Sequence, residues 1–251
     1  MASTVDADEI ERFSRIAEEW WDESGKFAPL HRLNPARIGF IRDRVAAHFG
    51  CDPLDFGPDG RGPLRDLAIL DIGCGGGLVC EPMARLGASV TGIDAAERNI
   101  GVARLHAERM GLTIDYRATT AEALRDQATR YDAVLALEII EHVADVDLFL
   151  SCCAELVKPG GVLILSTLNR TTKAFAMAIV GAEYVMRWLP RGTHDWRKFL
   201  KPSEVARGLR AAGLSVEELA GLIYSPITGR WRIDAHDLDV NYILLAAKPS
   251  R

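Results

Sequence analysis

The first residues whose types and spacing could do chemistry are the glycines of a short turn and an aspartate that follows it. Gly73 and Gly75 lie in a glycine-rich turn, 73–77, between a short apolar run and a helical stretch. Glycines let a ligand approach the backbone closely, and the start of a helix offers free N–H donors. Asp94 ends the next apolar run, 21 residues after Gly73. A carboxylate there can accept hydrogen bonds from both ribose hydroxyls of an adenosine, so these residues together predict an adenosine-containing ligand.

The residues beside the turn help to choose between ligands of this kind. A dinucleotide-binding fingerprint places glycine or alanine where this chain has Leu78, so that the helix can pack closely under a pyrophosphate. Asp71, just before the turn, would add negative charge where that pyrophosphate must lie. A cationic ligand is therefore favoured, and an NAD-dependent oxidoreductase is kept as the alternative.

A second group of chemically active residues follows the predicted fourth strand. Glu138, Glu141 and His142 are spaced i, i+3 and i+4, which places them on one face if the segment is helical. Two carboxylates and an imidazole could bind one divalent cation such as Mg²⁺, which would lower the pKa of a phenol from its usual ~10. Glu138 or His142 could otherwise act as a general base. The plainest alternative is that the acids only stabilise the first turn of a helix.

The elements that must position these residues alternate between strands and helices along the chain. Short apolar runs predict strands at 67–72, 88–93, 113–116, 131–137, 162–167, 214–222 and 241–247. Amphipathic spacing predicts helices at 6–21, 36–49, 78–86, 95–110, 121–127, 146–157 and 202–212, with Pro29 ending the first segment, Pro35 starting the second helix and 225–239 rich in turns. This alternation predicts an α/β fold with a doubly wound parallel sheet that is buried on both faces.

The composition disfavours several functional classes. The 251 residues carry 30 Lys and Arg against 35 Asp and Glu, a formal net charge of −5, which disfavours sequence-independent binding of nucleic acid. The five cysteines form no CxxC pair, so neither a zinc site nor a disulfide framework is expected. No apolar run approaches the ~18 residues that span a bilayer, and the acidic N-terminus resembles neither a secretory signal nor a transit peptide. We therefore expect a cytoplasmic protein, with attachment to a membrane surface left open.

The predicted elements divide the chain into a covering segment and a main domain. Residues 1–66 are expected to form N-terminal helices and a linker that cover the active site, and residues 67–251 the main domain with a helical lid at 169–200 after the fifth strand. Between 170 and 201, apolar and aromatic residues have basic flanks, which is typical of a short helix lying on an anionic membrane surface. A helix packed over the active site and a dimer contact are the alternatives.

The glycine turn also carries a resemblance to a known family. The run LDIGCGGGL at 70–78 resembles motif I of the class I S-adenosylmethionine-dependent methyltransferases. That resemblance implies a Rossmann-like sheet of seven strands, the seventh inserted antiparallel, and S-adenosylmethionine as the cationic ligand. It also implies that the segment after the third strand, with Ala121, lies against the adenine.

Longer matches narrow the resemblance to one branch of these enzymes. They are PLHRLNPAR at 29–37, NR at 169–170, VGAEY at 180–184, GTHDW at 192–196, YSPIT at 224–228 and DVNY at 239–242. The combination closely resembles the ubiquinone-biosynthesis O-methyltransferases, which methylate hydroxyl groups on polyprenylated phenol or catechol rings. The expected function is therefore that O-methylation, in the cytoplasm, with peripheral attachment to the inner face of the membrane left open. A non-catalytic module that binds a lipid surface is the remaining alternative.

The same resemblance implies roles for individual residues. Cofactor contacts are implied for Arg37, Gly73, Asp94 and Leu137, with Arg37 pairing with the carboxylate at the methionine end of the cofactor. The segment 138–142 matches a Glu-x-x-Glu-His pattern, which is consistent with dependence on a divalent ion such as Mg²⁺ in this family.

Overall fold

The computed structural model describes residues 4, 19–58, 60–177, 195–225 and 228–250. Most of the expected helix at 6–21, the matches at 180–184 and 192–194, and the middle of the expected lid at 169–200 lie outside these residues. Among the described residues, no helix is both long enough and apolar enough to cross a membrane.

Among the described residues, the centre of the fold is one sheet of eight strands. The strands are β1 (Ala68–Ile72), β2 (Ser89–Asp94), β3 (Asp115–Ala118), β4 (Tyr131–Leu137), β5 (Val157–Leu168), β6 (Ser215–Ser225), β7 (Arg230–Asp234) and β8 (Asn241–Ala247). Their spatial order is β3-β2-β1-β4-β5-β8-β6-β7. The first five strands pair in parallel, and β8 is antiparallel to both β5 and β6. The expected antiparallel insertion of the last strand is thus confirmed.

Helices cover both faces of the sheet, as a doubly wound fold requires. They are α1 (Ala28–His48), α2 (Cys80–Arg85), α3 (Glu97–Arg109), α4 (Ala121–Arg125), α5 (Val146–Leu156), the short α6 (Thr172–Ala174) and α7 (Pro202–Ala211). One apolar core joins the sheet to α1, α2 and α3, and a second joins it to α4, α5 and α7. Because both faces are covered, the carboxyl ends of the parallel strands remain as the natural edge for a ligand.

The described residues form eight strands rather than the expected seven, because β7 lies in the stretch 225–239 that was expected to be rich in turns. Gly229 has a φ of 66° and helps to turn the chain back into a hairpin with β6. The sequence of β7 alternates charged residues with Trp231 and Ile233, whose side chains pack against the core. This period of two is a strand signal that the neighbouring glycine and acidic residues obscure.

The proline positions in the N-terminal helix also differ from the prediction. Helix α1 starts at Ala28 rather than after Pro35, with Pro29 in its first turn and Pro35 in its interior. Pro29 is compatible with a first turn because N–H groups there have no partner within the helix. Pro35 removes one hydrogen bond within the helix, and burial of Phe40 and Ile41 against the core stabilises the helix as a whole.

Candidate active site

The glycine turn has a backbone shape that other residues would strain. Gly73 and Gly75 have φ angles of 73° and 53°, in the left-handed region that favours glycine. A Cβ on Gly73 would lie 2.2 Å from the side chain of Ile139, and a Cβ on Gly75 would lie 2.4 Å from the ring of Trp20. The backbone N–H of Gly73 donates to the carbonyl of Ile93 at 2.8 Å. The turn is thereby fixed to the end of β2.

Asp94 lies against this turn, as the sequence predicts. Its Oδ2 accepts a hydrogen bond from the N–H of Gly75 at 3.0 Å. Its Oδ1 accepts from the N–H of Ala96 at 2.8 Å and from Nδ2 of Asn99 at 3.2 Å. Burial raises the pKa of the Asp94 carboxyl, although these three donors lower it. The structure therefore brings the glycine turn and the predicted ribose-binding carboxylate together.

Arg37 reaches the same place from α1 and is almost completely buried. Its Nη2 donates to Oδ1 of Asn34, whose own Nδ2 donates to the carbonyl of Leu78 at 3.1 Å. Its Nε has no hydrogen-bond partner among the described residues. Burial lowers the pKa of the Arg37 guanidinium, while the nearby carboxyls of Glu138 and Asp71 raise it. A buried N–H without a partner is costly, so this Nε is suited to receive a carboxylate from a ligand.

Asp71 is a buried carboxyl at the end of β1, beneath the glycine turn. The thiol of Cys80 donates to its Oδ2 at 3.2 Å. Burial raises the pKa of Asp71 to about 6, and the positive charge of Arg37 opposes that rise. At neutral pH most of this group is ionised, so negative charge lies under the turn where a cationic ligand would benefit from it.

Glu138 follows directly after Leu137, the last residue of β4. It has a φ of 52°, a strained value for a residue with a side chain. The hydroxyl of Ser166 on β5 donates to its Oε1 at 2.7 Å. Burial and the like charge of Glu141 raise the pKa of Glu138 to about 7, against the opposing influence of Arg37 and the Ser166 hydrogen bond. A carboxyl that is half ionised near neutral pH can accept a proton under physiological conditions.

Glu141 and His142 do not join Glu138 on one helical face. Glu138 precedes a 3₁₀ turn, Ile140–His142, so the helix that the i, i+3, i+4 spacing requires is absent here. The carboxylate of Glu141 is buried and accepts from the hydroxyl of Thr167 at 2.7 Å. Across the described chain, no three acidic, histidine or cysteine side chains are arranged to hold a metal ion. The expected metal set is therefore not assembled among the described residues in this conformation, and a hydroxyl of β5 donates to each of the two carboxylates.

The last predicted contacts lie at the same edge of the sheet. Leu137 is buried at the end of β4, and Ala121 is buried as the first residue of α4. The N–H of Thr119, just before α4, donates to the backbone carbonyl of Asp94 at 3.1 Å, which holds the start of this helix beside the end of β2. The residues predicted to bind a cofactor thus converge on the carboxyl ends of β1, β2 and β4.

Comparison with known proteins identifies the family. A family model described as a methyltransferase domain matches residues 14–219. The ubiquinone biosynthesis O-methyltransferase of Chelativorans sp. (strain BNC1) is 57% identical over 248 residues, covering 99% of this chain and 96% of that protein. The one from Bartonella quintana (strain Toulouse) is 54% identical, covering 98% of each chain. The chain belongs to the ubiquinone biosynthesis O-methyltransferases. This membership decides between the enzyme classes, in favour of a methyltransferase over an NAD-dependent oxidoreductase.

Solved structures of more distant proteins share the fold. The magnesium protoporphyrin IX methyltransferase of Synechocystis PCC 6803, determined with bound S-adenosylmethionine, is 18% identical with a TM-score of 0.55, covering 99% of this chain and all of that one. A methyltransferase from Methanosarcina mazei is 19% identical with a TM-score of 0.55, covering 74% of this chain and 94% of that one. At these identities the likeness confirms the class I methyltransferase fold.

Sequence reasoning missed several residues of this O-methyltransferase site. Ser166 holds Glu138 from 28 positions away in the chain, whereas Asn99 lies only five positions after Asp94 and contacts it from the first turn of α3. Trp20 and Trp21 lie on the glycine turn, whereas their spacing indicated only the apolar face of a helix. No local pattern pairs these tryptophans with the turn, because more than 50 positions of the chain separate them.

Proposed function

We propose that this chain transfers a methyl group from S-adenosylmethionine to a ring hydroxyl of a polyprenylated phenol or catechol in ubiquinone biosynthesis. Relatives named for that pathway match almost the full chain at 52–57% identity, which supports the substrate class. The geometry of Glu138 carries the proposal: its backbone is strained, and its carboxyl, at the end of β4, has a pKa of about 7. When bound, S-adenosylmethionine supplies a methyl group attached to a positively charged sulfur.

The cofactor would be held by complementary charges and donors. Asp94 offers its remaining acceptor capacity to the ribose hydroxyls, and the glycine turn leaves its backbone open to close approach. Arg37 directs a buried Nε–H without a partner among the described residues toward a carboxylate ligand. Asp71 adds negative charge for the sulfonium. The ribose, the carboxylate and the sulfonium of the cofactor would therefore each face an acceptor, a donor or an opposite charge.

Glu138 would act as the general base. The ring hydroxyl would give its proton to the Glu138 carboxylate, which stays held by Ser166, while its oxygen takes the methyl group and the carbon–sulfur bond to that methyl breaks to leave a neutral thioether. His142 is the second candidate for this role because it lies in the adjacent 3₁₀ turn. No step is assigned to a metal ion, since the described carboxylates do not form a metal-binding set. Alignment of the two substrates supplies the larger part of the rate enhancement.

The prenyl tail of the substrate calls for contact with a membrane, and we assign that contact to the insert at 169–200. In its described part, Phe175 and Met177 are 45% and 46% exposed, and Phe175 packs edge-on against Trp196. The basic flank contributes less than the sequence indicates: Arg170 pairs with Glu204, and Lys173 lies 3.1 Å from Asp239. Apolar insertion rather than net positive charge would then hold the enzyme on the inner face of the membrane.

Vesicle binding tests this contact. Phe175→Ala should weaken co-sedimentation with phosphatidylglycerol-containing vesicles, and Phe56→Ala, an equally exposed phenylalanine in the loop before β1, should not. Equal binding by both variants and the wild type would contradict the assignment.

We further propose that residues 1–66 and the insert together cover the substrate.

A methyl-transfer assay on prenylated catechols tests the function itself. Glu138→Gln should lower kcat by about 10²–10⁴-fold with little change in cofactor affinity, because it removes the base and keeps the shape. His142→Gln, assayed in parallel, separates the two candidate bases. Cofactor binding by the wild type without transfer to any phenol would instead favour a non-catalytic module.

A further inference from the structure

Trp20 lies directly against the glycine turn. Its side chain is 8% exposed, and it stacks on Phe27 with ring centroids 3.8 Å apart and planes 12° from parallel. Atoms of Trp20 occupy the space where a side chain on Gly75 or Gly76 would begin, each within 2.4 Å of the Cβ position. The absence of side chains at Gly75 and Gly76 therefore makes room for this indole as well as for a ligand.

The indole N–H begins a chain of hydrogen bonds that ends at the predicted ribose-binding carboxylate. Nε1 of Trp20 donates to Oδ1 of Asn99 at 3.0 Å. Asn99 is buried, and its Nδ2 donates to Oδ1 of Asp94 at 3.2 Å. An amide has its acceptor and its donors at opposite ends, so a donor at Oδ1 forces the NH₂ group toward Asp94. Without the indole N–H, a flipped amide would turn its oxygen toward the carboxylate, which is unfavourable.

Trp21 makes a second contact between this segment and the glycine turn. Its Nε1 donates to the carbonyl of Gly76 at 2.9 Å, and its ring stacks on His106 with centroids 3.5 Å apart and planes 7° from parallel. Nδ1 of His106 lies 2.6 Å from the buried carboxylate of Glu81. Neighbouring residues 20 and 21 thus contact the turn through two separate side-chain networks, which fixes where the indole of Trp20 lies.

We propose that Trp20 is a positioning residue for the cofactor ribose, acting through Asn99 on the Asp94 carboxylate. The inference rests on the proposed function, because it takes the adenosyl group to lie at Asp94. It adds a role for the segment before α1: seating of residues 20 and 21 on the glycine turn sets the orientation of a carboxylate at the end of β2. The consequence is that ribose recognition depends on a residue that does not touch the ribose.

Calorimetric binding of S-adenosylhomocysteine tests this role without requiring turnover. Trp20→Phe keeps an aromatic ring on the turn but removes the N–H together with part of the indole, so affinity should fall at least about fivefold, the usual value of one neutral hydrogen bond. Asn99→Ala should give a similar loss, and the double variant should lose little more, because both changes break one chain. Trp231→Phe, on β7 at the far edge of the sheet, is the matched control and should bind as the wild type does.

The 2′-deoxy and 3′-deoxy forms of the same ligand give the decisive readout. If Trp20 acts through Asp94, Trp20→Phe should weaken binding of these forms less than it weakens binding of the intact ligand. An equal loss for all three ligands would overturn the proposal, since the ring would then act by packing alone. Tighter binding by Trp20→Phe would also overturn it, because the indole would then obstruct the site. A wild-type chain that binds none of the ligands would refute the proposed cofactor itself, and thermal melting identifies variants that fail to fold.

Discussion

The pKa of Glu138 should move in opposite directions when its two neighbours are changed. Ser166 donates a hydrogen bond that stabilises the ionised carboxylate, and Glu141 contributes a like charge that destabilises it. Ser166→Ala should therefore raise the pKa of Glu138, and Glu141→Gln should lower it. If Glu138 is the base, the rising limb of kcat/KM against pH must follow both changes, since only the ionised form accepts a proton.

The size of the first change follows from the geometry. A hydrogen bond to a charged group contributes about 1.5–3 kcal/mol, and one pKa unit corresponds to about 1.4 kcal/mol. The 2.7 Å hydrogen bond from Ser166 is one of several interactions of the Glu138 carboxylate, which also feels Arg37 and the solvent. We therefore take the lower end of the energy range, which corresponds to a rise in the pKa of Glu138 of about one unit from about 7. At pH 7 the ionised fraction then falls from about one half to about one tenth, and kcat/KM falls about fivefold. At pH 9 or above the variant should match the wild type.

The assay is methyl transfer to a prenylated catechol between pH 5.5 and 9.5, with cofactor affinity measured at each pH. Ser151→Ala is the matched control, because Ser151 contacts only the carboxylate of Glu155 at the surface of α5 among the contacts described, and its profile should not move. The reasoning would be refuted if the rising limb moved in the same direction in Ser166→Ala and in Glu141→Gln. A Glu138→Gln enzyme that keeps the wild-type limb would also refute it and would transfer the role of base to His142.

Three further outcomes follow from the site. Gly75→Ala should weaken cofactor binding, measured by calorimetry, because the new Cβ strains the turn and displaces the indole of Trp20. Gly101→Ala, with open space around it in α3, should instead stabilise the fold by about 1 kcal/mol, measured by thermal melting. At pH 8, Asp71→Asn should raise the free energy of unfolding by up to about 3 kcal/mol. In the wild type, the raised pKa of about 6 means that the stability present below pH ~4, where Asp71 is protonated, is lost as the pH rises through 6, and asparagine does not ionise. The same change should weaken S-adenosylmethionine binding more than S-adenosylhomocysteine binding, since only the former is a sulfonium. EDTA should leave cofactor affinity unchanged, because the cofactor-contacting residues include no metal ligand, and turnover in the same samples tests the Mg²⁺ hypothesis from the sequence.

The parts of the fold that were predictable are those with a local pattern. Strands β4 and β8 fall at the predicted residues because their apolar runs end in clear polar boundaries. The glycine turn and Asp94 were predictable as a pair because a parallel strand–helix–strand unit fixes how far apart they lie in sequence. By contrast, the start of α1 was wrong, since burial against the core outweighed the local effect of Pro35.

The details of the site depended on contacts that no local pattern encodes. Trp20 and Asn99 are 79 positions apart, and Ser166 and Glu138 are 28 apart, so their pairing arises only when the strands align. The predicted common helical face of Glu138, Glu141 and His142 is absent for a different reason: its spacing assumed a helix that starts at Glu138, but that residue has a left-handed backbone. Spacing predicts a common face only where the element itself is correct.

The charges at the site give an independent reason to place the base at Glu138. Methyl transfer turns a cofactor with one net positive charge into a neutral product, so the site loses one positive charge. Protonation of Glu138, which lies near Arg37, removes one negative charge from the same site. The net charge of the site is therefore the same before and after transfer, whatever the charges of its other carboxyls. Because uncompensated charge is expensive in a buried site, a base within this cluster keeps that charge constant, whereas a base outside it would leave the site one unit more negative after transfer.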